Sequence, residues 1–203
     1  VSELTAEIRR VAQTVTDSLE FVRPMELRRD PVDPVEVLEE SLARARSRVP
    51  LEVDIQRDYA ETLLPLRADG ERLESVLTNL IVNAFEAMLG AASTPARVSL
   101  GVHVEAAFGV EPSECAPAEL VFTVADTGPG IPEELRERVF YPFFTTKQRG
   151  SGVGLAQAQK IVVGHGGRLE LGSGSGRGST FRVRLPLAPE APRARAREQG
   201  SSA

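Results

Sequence analysis

The sequence predicts an α+β fold, a two-layer α/β sandwich in which helices pack on one face of a mixed sheet, preceded by an N-terminal helix. Three observations carry that expectation. Helix-period apolar stripes come first in the 203-residue chain, and alternating strand-like runs then mix with two long helical stretches. No strand–helix–strand unit bears Gly-x-Gly-x-x-Gly, and Gly-x-x-x-x-Gly-Lys-Ser/Thr does not occur, which argues against the two common parallel-sheet nucleotide folds. The hydrophobic fraction of 41% suffices for one sizeable core.

The elements follow in order. Leu4, Ile8, Val11, Val15, Leu19 and Val22 recur at intervals of three or four, an amphipathic helix that Pro24 ends. Residues 25–34, with Pro31 and Pro34, read as a linker. Asp33 is placed to cap a second helix with the stripe Val37, Leu38, Ser41, Leu42 and Ala45. Alternation over Leu51–Gln56 predicts a strand, with Leu63–Arg67 as its hairpin partner. Asp69 caps a long helix from Gly70 to Leu89 that Gly90 ends. Its buried face is Leu73, Val76, Leu77, Leu80, Ile81 and Ala84. Val98–Val104 and Leu120–Val124 read as antiparallel strands around a loop carrying Cys115. A short helix is expected over Glu133–Val139, another helix over Gly152–Val163, and final strands over Arg168–Leu171 and Thr180–Leu185. The Pro-, Ala-, Arg- and Ser-rich residues 188–203 read as a flexible tail.

Composition excludes several functions. A formal net charge of -5 speaks against non-specific nucleic-acid binding. A single cysteine forbids an internal disulfide and suits a reducing compartment. No run approaches the roughly 18 apolar residues of a membrane span, and no signal-peptide pattern opens the chain. The expectation is therefore a cytoplasmic fragment of a longer protein, whose missing segments leave room for a membrane anchor. His103 and His165 have no second ligand nearby in sequence, so neither suggests a zinc site.

Three segments carry chemistry. Asn79 and Asn83, four apart, project from one face of the long helix, where an amide oxygen can ligate a magnesium ion. Asp126 ends a strand before Gly128-Pro129-Gly130, glycines that permit positive φ and close backbone approach. A carboxylate there can accept from the exocyclic amine of adenine. Gly150-Ser151-Gly152-Val153-Gly154-Leu155 opens a helix, whose amides and dipole favour phosphate, and its glycines suit a mobile lid. Lys147 and Arg149 flank that loop within reach of terminal phosphates, and Thr180 is placed near the base. Phe140, Phe143 and Phe144 are expected to wedge the base of the lid into the core. Each motif alone also reads as a cap, a strand-end turn, a flexible linker or a pair of solvated cations. Their fixed order points to a nucleotide.

That ordered set resembles the catalytic, ATP-binding domain of sensor histidine kinases, within the Bergerat-fold ATPases. Asn79-x-x-x-Asn83-Ala84 is similar to the N box, Asp126-x-Gly128-x-Gly130 to the G1 box, and Phe140–Lys147 to the F box. Gly150-x-Gly152-x-Gly154-Leu155 is similar to the G2 box, and Gly176-x-Gly178-Ser-Thr180 to the last glycine motif. The residues around Met88 and Phe144 look most like the nitrogen-regulation type. The resemblance covers about residues 31–187. It implies ATP and Mg2+ as ligands, with Asn83 on the metal, Asn79 at the polyphosphate end and Asp126 on adenine. Relatives often carry a lysine three residues after the metal asparagine; here that position is Glu86, so any phosphate cation must come from elsewhere, with Lys147 and Arg149 as the candidates.

The resemblance also implies the organisation. Residues 1–24 look like the end of the second helix of a dimerisation and phosphoacceptor hairpin, and 35–187 like the catalytic domain. The acceptor histidine is expected outside the chain, so the fragment should bind ATP without phosphorylating itself. The implied partners are that hairpin and a response-regulator receiver domain. The full-length protein is expected to be a homodimer and the fragment a monomer or weak dimer. Two other readings share the boxes: a clamp-type ATPase and a serine kinase of the anti-sigma type. The first usually carries a glutamate four residues before the metal asparagine, where Asn79 stands here.

Overall fold

The computed structural model describes residues 25–89, 96–106, 118–147, 150–172 and 178–187. The expected N-terminal helix and tail, with Gly90, Cys115, Arg149 and Gly176, lie outside the described residues. A five-stranded mixed sheet runs in the order β2-β4-β5-β7-β6, built from Asp54–Tyr59, Arg97–Ala106, Ala118–Asp126, Thr180–Pro186 and Arg168–Leu171 respectively. The pair β2–β4 is parallel, and the remaining pairs are antiparallel. Among the described residues, the helices α1 (Pro34–Arg48), α2 (Gly70–Met88) and α3 (Gly154–Gly164) supply the second layer.

Capping follows the sequence closely. The Asp33 carboxylate accepts from the amides of Val35 and Glu36 at 2.8 and 3.2 Å and starts α1. Asp69 starts α2 by accepting from the Arg72 amide at 3.1 Å. The apolar stripes then bury against each other and the sheet. Leu38 and Ala45 of α1, Leu77 and Phe85 of α2, and Leu100 and Phe122 of the sheet are fully buried. Ser41, inside the α1 stripe, returns its hydroxyl to the Val37 carbonyl at 2.7 Å, so its own polar group is satisfied within the core. Among the described residues no helix is long and apolar enough to cross a membrane.

Four expectations are corrected. Leu63–Arg67 is not the hairpin partner of the preceding strand. Instead Leu66–Ala68 (β3) pairs antiparallel with Asp30–Val32 (β1), residues expected within a linker. The strand expected over Leu51–Gln56 lies at Asp54–Tyr59 and pairs parallel with β4. Alternation marks both strands equally well, and only the sheet decides which partner each takes. The short helix over Glu133–Val139 is two 3-10 turns, Glu133–Leu135 and Arg138–Phe140, held by i to i+3 bonds with no side-chain cap. The helix expected from Gly152 begins two residues later, at Gly154.

A polar strut joins α2 and α3. His165, 5% exposed at the end of α3, has Nδ1 2.8 Å from the Ile161 carbonyl. Its Nε2 accepts from the Asp69 amide at 3.0 Å. Both bonds are satisfied by the tautomer protonated on Nδ1. Asp69 also accepts from the Arg28 amide at 3.1 Å, and Arg29 donates to the Gly164 carbonyl at 2.8 Å. The segment before β1 thereby closes the start of α2 and the end of α3. His165→Ala, which leaves the Asp69 amide without its acceptor, is expected to lower the unfolding free energy by about 1–3 kcal/mol. Urea denaturation measures this, and a loss below about 0.5 kcal/mol, as for an ordinary surface change, would refute the strut.

Candidate functional site

Hydrophobic burial turns one flank of α2 toward a cavity of about 590 Å³. Asn79, Asn83 and Glu86 lie at i, i+4 and i+7, so they form one stripe beside the buried face. The opposite walls are the turn after β5, the two 3-10 turns, the aromatic block and the loop before α3. Contacts order the site along α2. Asn79 faces Gly154, Asn83 and Glu86 face Lys147, and Ala87 faces Gly128 beside Asp126. Asn79 and Ala87 are eight residues apart, a rise of about 12 Å.

At the far end, the Asp126 Oδ1 accepts from the Gly128 amide at 2.8 Å, and its own amide donates to the Ser179 carbonyl at 2.9 Å. Burial pushes the Asp126 carboxyl above its ordinary range, and the bonds from Gly128 and Ser179 offset this only in part. Gly130 uses positive φ (80°), as expected, whereas Gly128 does not; a Cβ there would stand 2.8 Å from the Asp126 carboxylate. Ile131, Leu135, Val139 and Phe181 give the cavity an apolar wall.

The near end is polar. The Asn79 Nδ2 is buried without a hydrogen-bond partner, a costly state for an amide donor. A Cβ on Gly154 would come within 2.5 Å of the Asn79 Oδ1, so only glycine lets the α3 N-terminus approach so closely. The Lys147 Nζ donates to the Asn83 Oδ1 at 2.6 Å and to the Glu86 carboxylate. Among the described residues no group of three His, Cys, Asp or Glu side chains is arranged to hold a metal. A cation at Asn83 would therefore need oxygens from its own ligand. An orphaned amide, a glycine-lined helix start and a lysine at one end, with a buried carboxylate at the other, fit a magnesium nucleoside triphosphate.

The aromatic block behaves differently from expectation. Phe140 packs edge-on to Phe181, with centroids 6.4 Å apart, and the Arg138 guanidinium lies over Phe144 at 4.6 Å. Phe143 is not wedged into the core: it is 58% exposed and holds φ at 67°. Its amide donates to the Gly152 carbonyl at 2.9 Å, tying the block by backbone to the loop before α3. Of the sequence-predicted residues, Asn79, Asn83, Asp126, Gly130, Lys147, Gly150, Ser151, Gly152, Gly154 and Leu155 line the cavity. Gly128, Val153 and Thr180 do not. Val153 is 1% exposed beneath the loop, and Thr180 alternates with Ser179 and Phe181, which do line it. Ser179 and the acidic role of Glu86 were not anticipated; the i+7 spacing from Asn79 is the signal for Glu86.

Residues 68–189 match the family described as histidine kinase-, DNA gyrase B- and HSP90-like ATPases. The chain belongs to that family. Sensor histidine kinase ZraS of Salmonella typhimurium is 34% identical over 188 residues, 91% of this chain. The C4-dicarboxylate transport sensor protein DctB of Rhizobium meliloti is 37% identical over 188 residues, 92% of this chain. This chain spans 37% of the ZraS length and 28% of the DctB length. Among solved structures, the catalytic domain of histidine kinase ThkA is similar with a TM-score of 0.64 and 28% identity, over 82% of this chain and 99% of that one. ThkA in complex with the response regulator TrrA is similar with a TM-score of 0.69 and 26% identity, over 94% of this chain and 51% of that one. The mixed sheet with its helices thus has the α+β fold of histidine kinase catalytic domains.

The state of Asp126 has a measurable consequence. Its carboxyl is raised on folding, so the unfolded chain ionises first and the charge disfavours the fold at neutral pH. Asp126→Asn removes that charge and keeps an acceptor oxygen. The nucleotide-free variant is expected to be more stable than the parent at pH 7. The difference should shrink as pH falls through the raised value and vanish below the ordinary 3.8, where both states are protonated. Thermal melts across that range would exclude the burial cost if the difference did not change with pH.

Proposed function

We propose that this chain is the ATP-binding catalytic domain of a sensor histidine kinase. It would hold Mg-ATP so that the γ-phosphoryl group can pass to a histidine of a dimerisation hairpin, and then to a response-regulator aspartate. One observation carries the reading: a single cavity has a buried carboxylate with apolar walls at one end and Asn79, Asn83 and Lys147 at the other. The sensor-kinase relatives and the ThkA–TrrA complex support the wider role.

In this reading Asp126 accepts from the exocyclic amine of adenine, and guanine, with a carbonyl at that edge, is disfavoured. Asn83 holds the magnesium ion, Asn79 donates its unpartnered amide to the polyphosphate, and Gly150–Leu155 forms the lid. Magnesium, when bound, neutralises charge on the phosphates. Lys147 leaves Asn83 and turns to the phosphate oxygens; Arg149 stands close by in sequence. Among the described residues, the acidic side chains lining the cavity are Glu86, paired with Lys147, and Asp126 at the other end. Neither is a free base beside Asn79, so the site favours an outside acceptor over water. Catalysis is then positioning and charge neutralisation. Residues 35–187 would be the catalytic domain, 1–24 the end of the hairpin and 188–203 a tail. The setting would be cytoplasmic, in a full-length homodimer.

Calorimetric titration with a non-hydrolysable ATP analogue and Mg2+ is expected to show binding that Asp126→Ala and Asn83→Ala each remove. A GTP analogue should bind more weakly than the ATP analogue. Equal binding of both, or undiminished binding by Asp126→Ala, would overturn the adenine assignment. Labelled phosphate from ATP should reach a supplied phosphoacceptor hairpin, and strong intrinsic ATPase in its absence would instead favour a hydrolytic machine.

A further inference from the structure

We infer that Glu86 is a second protein ligand of the divalent cation, acting with Asn83, and that Lys147 holds the cation's place until nucleotide arrives. This rests on the magnesium–nucleotide reading above and adds a residue to it. The Lys147 Nζ is bound by two oxygens from α2, the Asn83 Oδ1 at 2.6 Å and a Glu86 carboxylate oxygen. Oxygens that converge on one ammonium are placed to converge on one metal ion. Asn83 and Glu86 are three residues apart on one helix, so rigid backbone sets their separation.

Chemistry favours the pair. Magnesium in phosphate-transfer sites is commonly held by one or two carboxylates together with substrate phosphates and water. Asn83 contributes a neutral oxygen and no charge. Among the residues lining the cavity, Glu86 is the carboxylate beside Asn83; Asp126 lies at the opposite end. Lys147 cannot stay beside a bound divalent ion without repulsion, whereas the phosphates offer it a new partner. A plain anchor for Lys147 is the competing role for Glu86. It makes a different prediction, because an anchoring carboxylate would only repel the polyphosphate, with or without metal.

The test is the metal gain: the affinity for a non-hydrolysable ATP analogue in excess Mg2+ divided by that in EDTA, measured by calorimetry on the full chain. Glu86→Gln is close to isosteric, and Glu86 is partly solvent-exposed, so matched melts without ligand should confirm the fold. The expected result is a metal gain reduced tenfold or more, with metal-free affinity unchanged or tighter. Glu86→Asp should keep part of the gain. In a Lys147→Met background, adding Glu86→Gln should still cost the gain, because the carboxylate acts on the metal and not through lysine. An unchanged gain in Glu86→Gln would overturn the assignment, as would a loss that disappears in the Lys147→Met background. Wild-type protein that binds the analogue under neither condition would remove the nucleotide reading itself, a result distinct from both.

Discussion

The burial of one face of α2 is the constraint on which the site depends. Leu73, Val76, Leu77, Leu80, Ile81 and Ala84 are all nearly inaccessible, packed against α1 and the sheet. Burying side chains of this kind contributes about 1.5–3 kcal/mol each for the larger ones. The helix therefore has one rotational setting. With that face fixed, the stripe holding Asn79, Asn83 and Glu86 can only look into the cavity. Polar residues in such a place gain little for stability. Asn79 leaves an amide donor without a partner, a penalty that the fold carries and a ligand would relieve.

The same opposition of stability and recognition recurs at Asp126. Its carboxyl is buried deeply enough to be raised, yet it is held by amides of its own turn and of the strand beside it. No cation faces it among the contacts described. Such a carboxylate is a poor structural element and a good acceptor for a neutral amine. The two ends of the cavity are thus made by different physics: helix periodicity at one, a strand-end turn braced by Ser179 at the other. Between them the aromatic block and the loop before α3 are joined through backbone, Phe143 to Gly152, with Phe143 in a strained conformation. Strain of this sort persists only where surrounding structure fixes it.

Much of this was legible in sequence, and the reasons are specific. Asp33 and Asp69 were readable as caps because a short side-chain acceptor before an apolar stripe has one use there. The faces of α1 and α2 followed from spacing alone. Asn79, Asn83 and Asp126 stand out as a set by residue type, order and flanking glycines, and the structure brings all three to one cavity. Membership of the histidine kinase-, DNA gyrase B- and HSP90-like ATPase family agrees with that set. The misplaced residues have a common cause. The sequence places Thr180 near the base, whereas Ser179 and Phe181 line the cavity, because which face of a strand meets a cavity depends on register with its neighbours. Phe143 was read as core because it is aromatic, but a neighbouring backbone contact turns it outward.

What the sequence determined by itself, then, is local and periodic: where helices begin, which faces are apolar, and which residues carry oxygen and amide groups. Those properties depend on side chains within a few positions of one another. Only the tertiary structure decided the pairings across distance. It set β1 against β3 and β2 parallel to β4. It brought His165 under Asp69, 96 residues away, and Lys147 onto Asn83 and Glu86, 64 and 61 residues away. Such contacts have no signature in spacing, because chain separation says nothing about which loop crosses which helix. That is why Glu86 read in sequence as the loss of a lysine, and in the fold as the acidic partner of one.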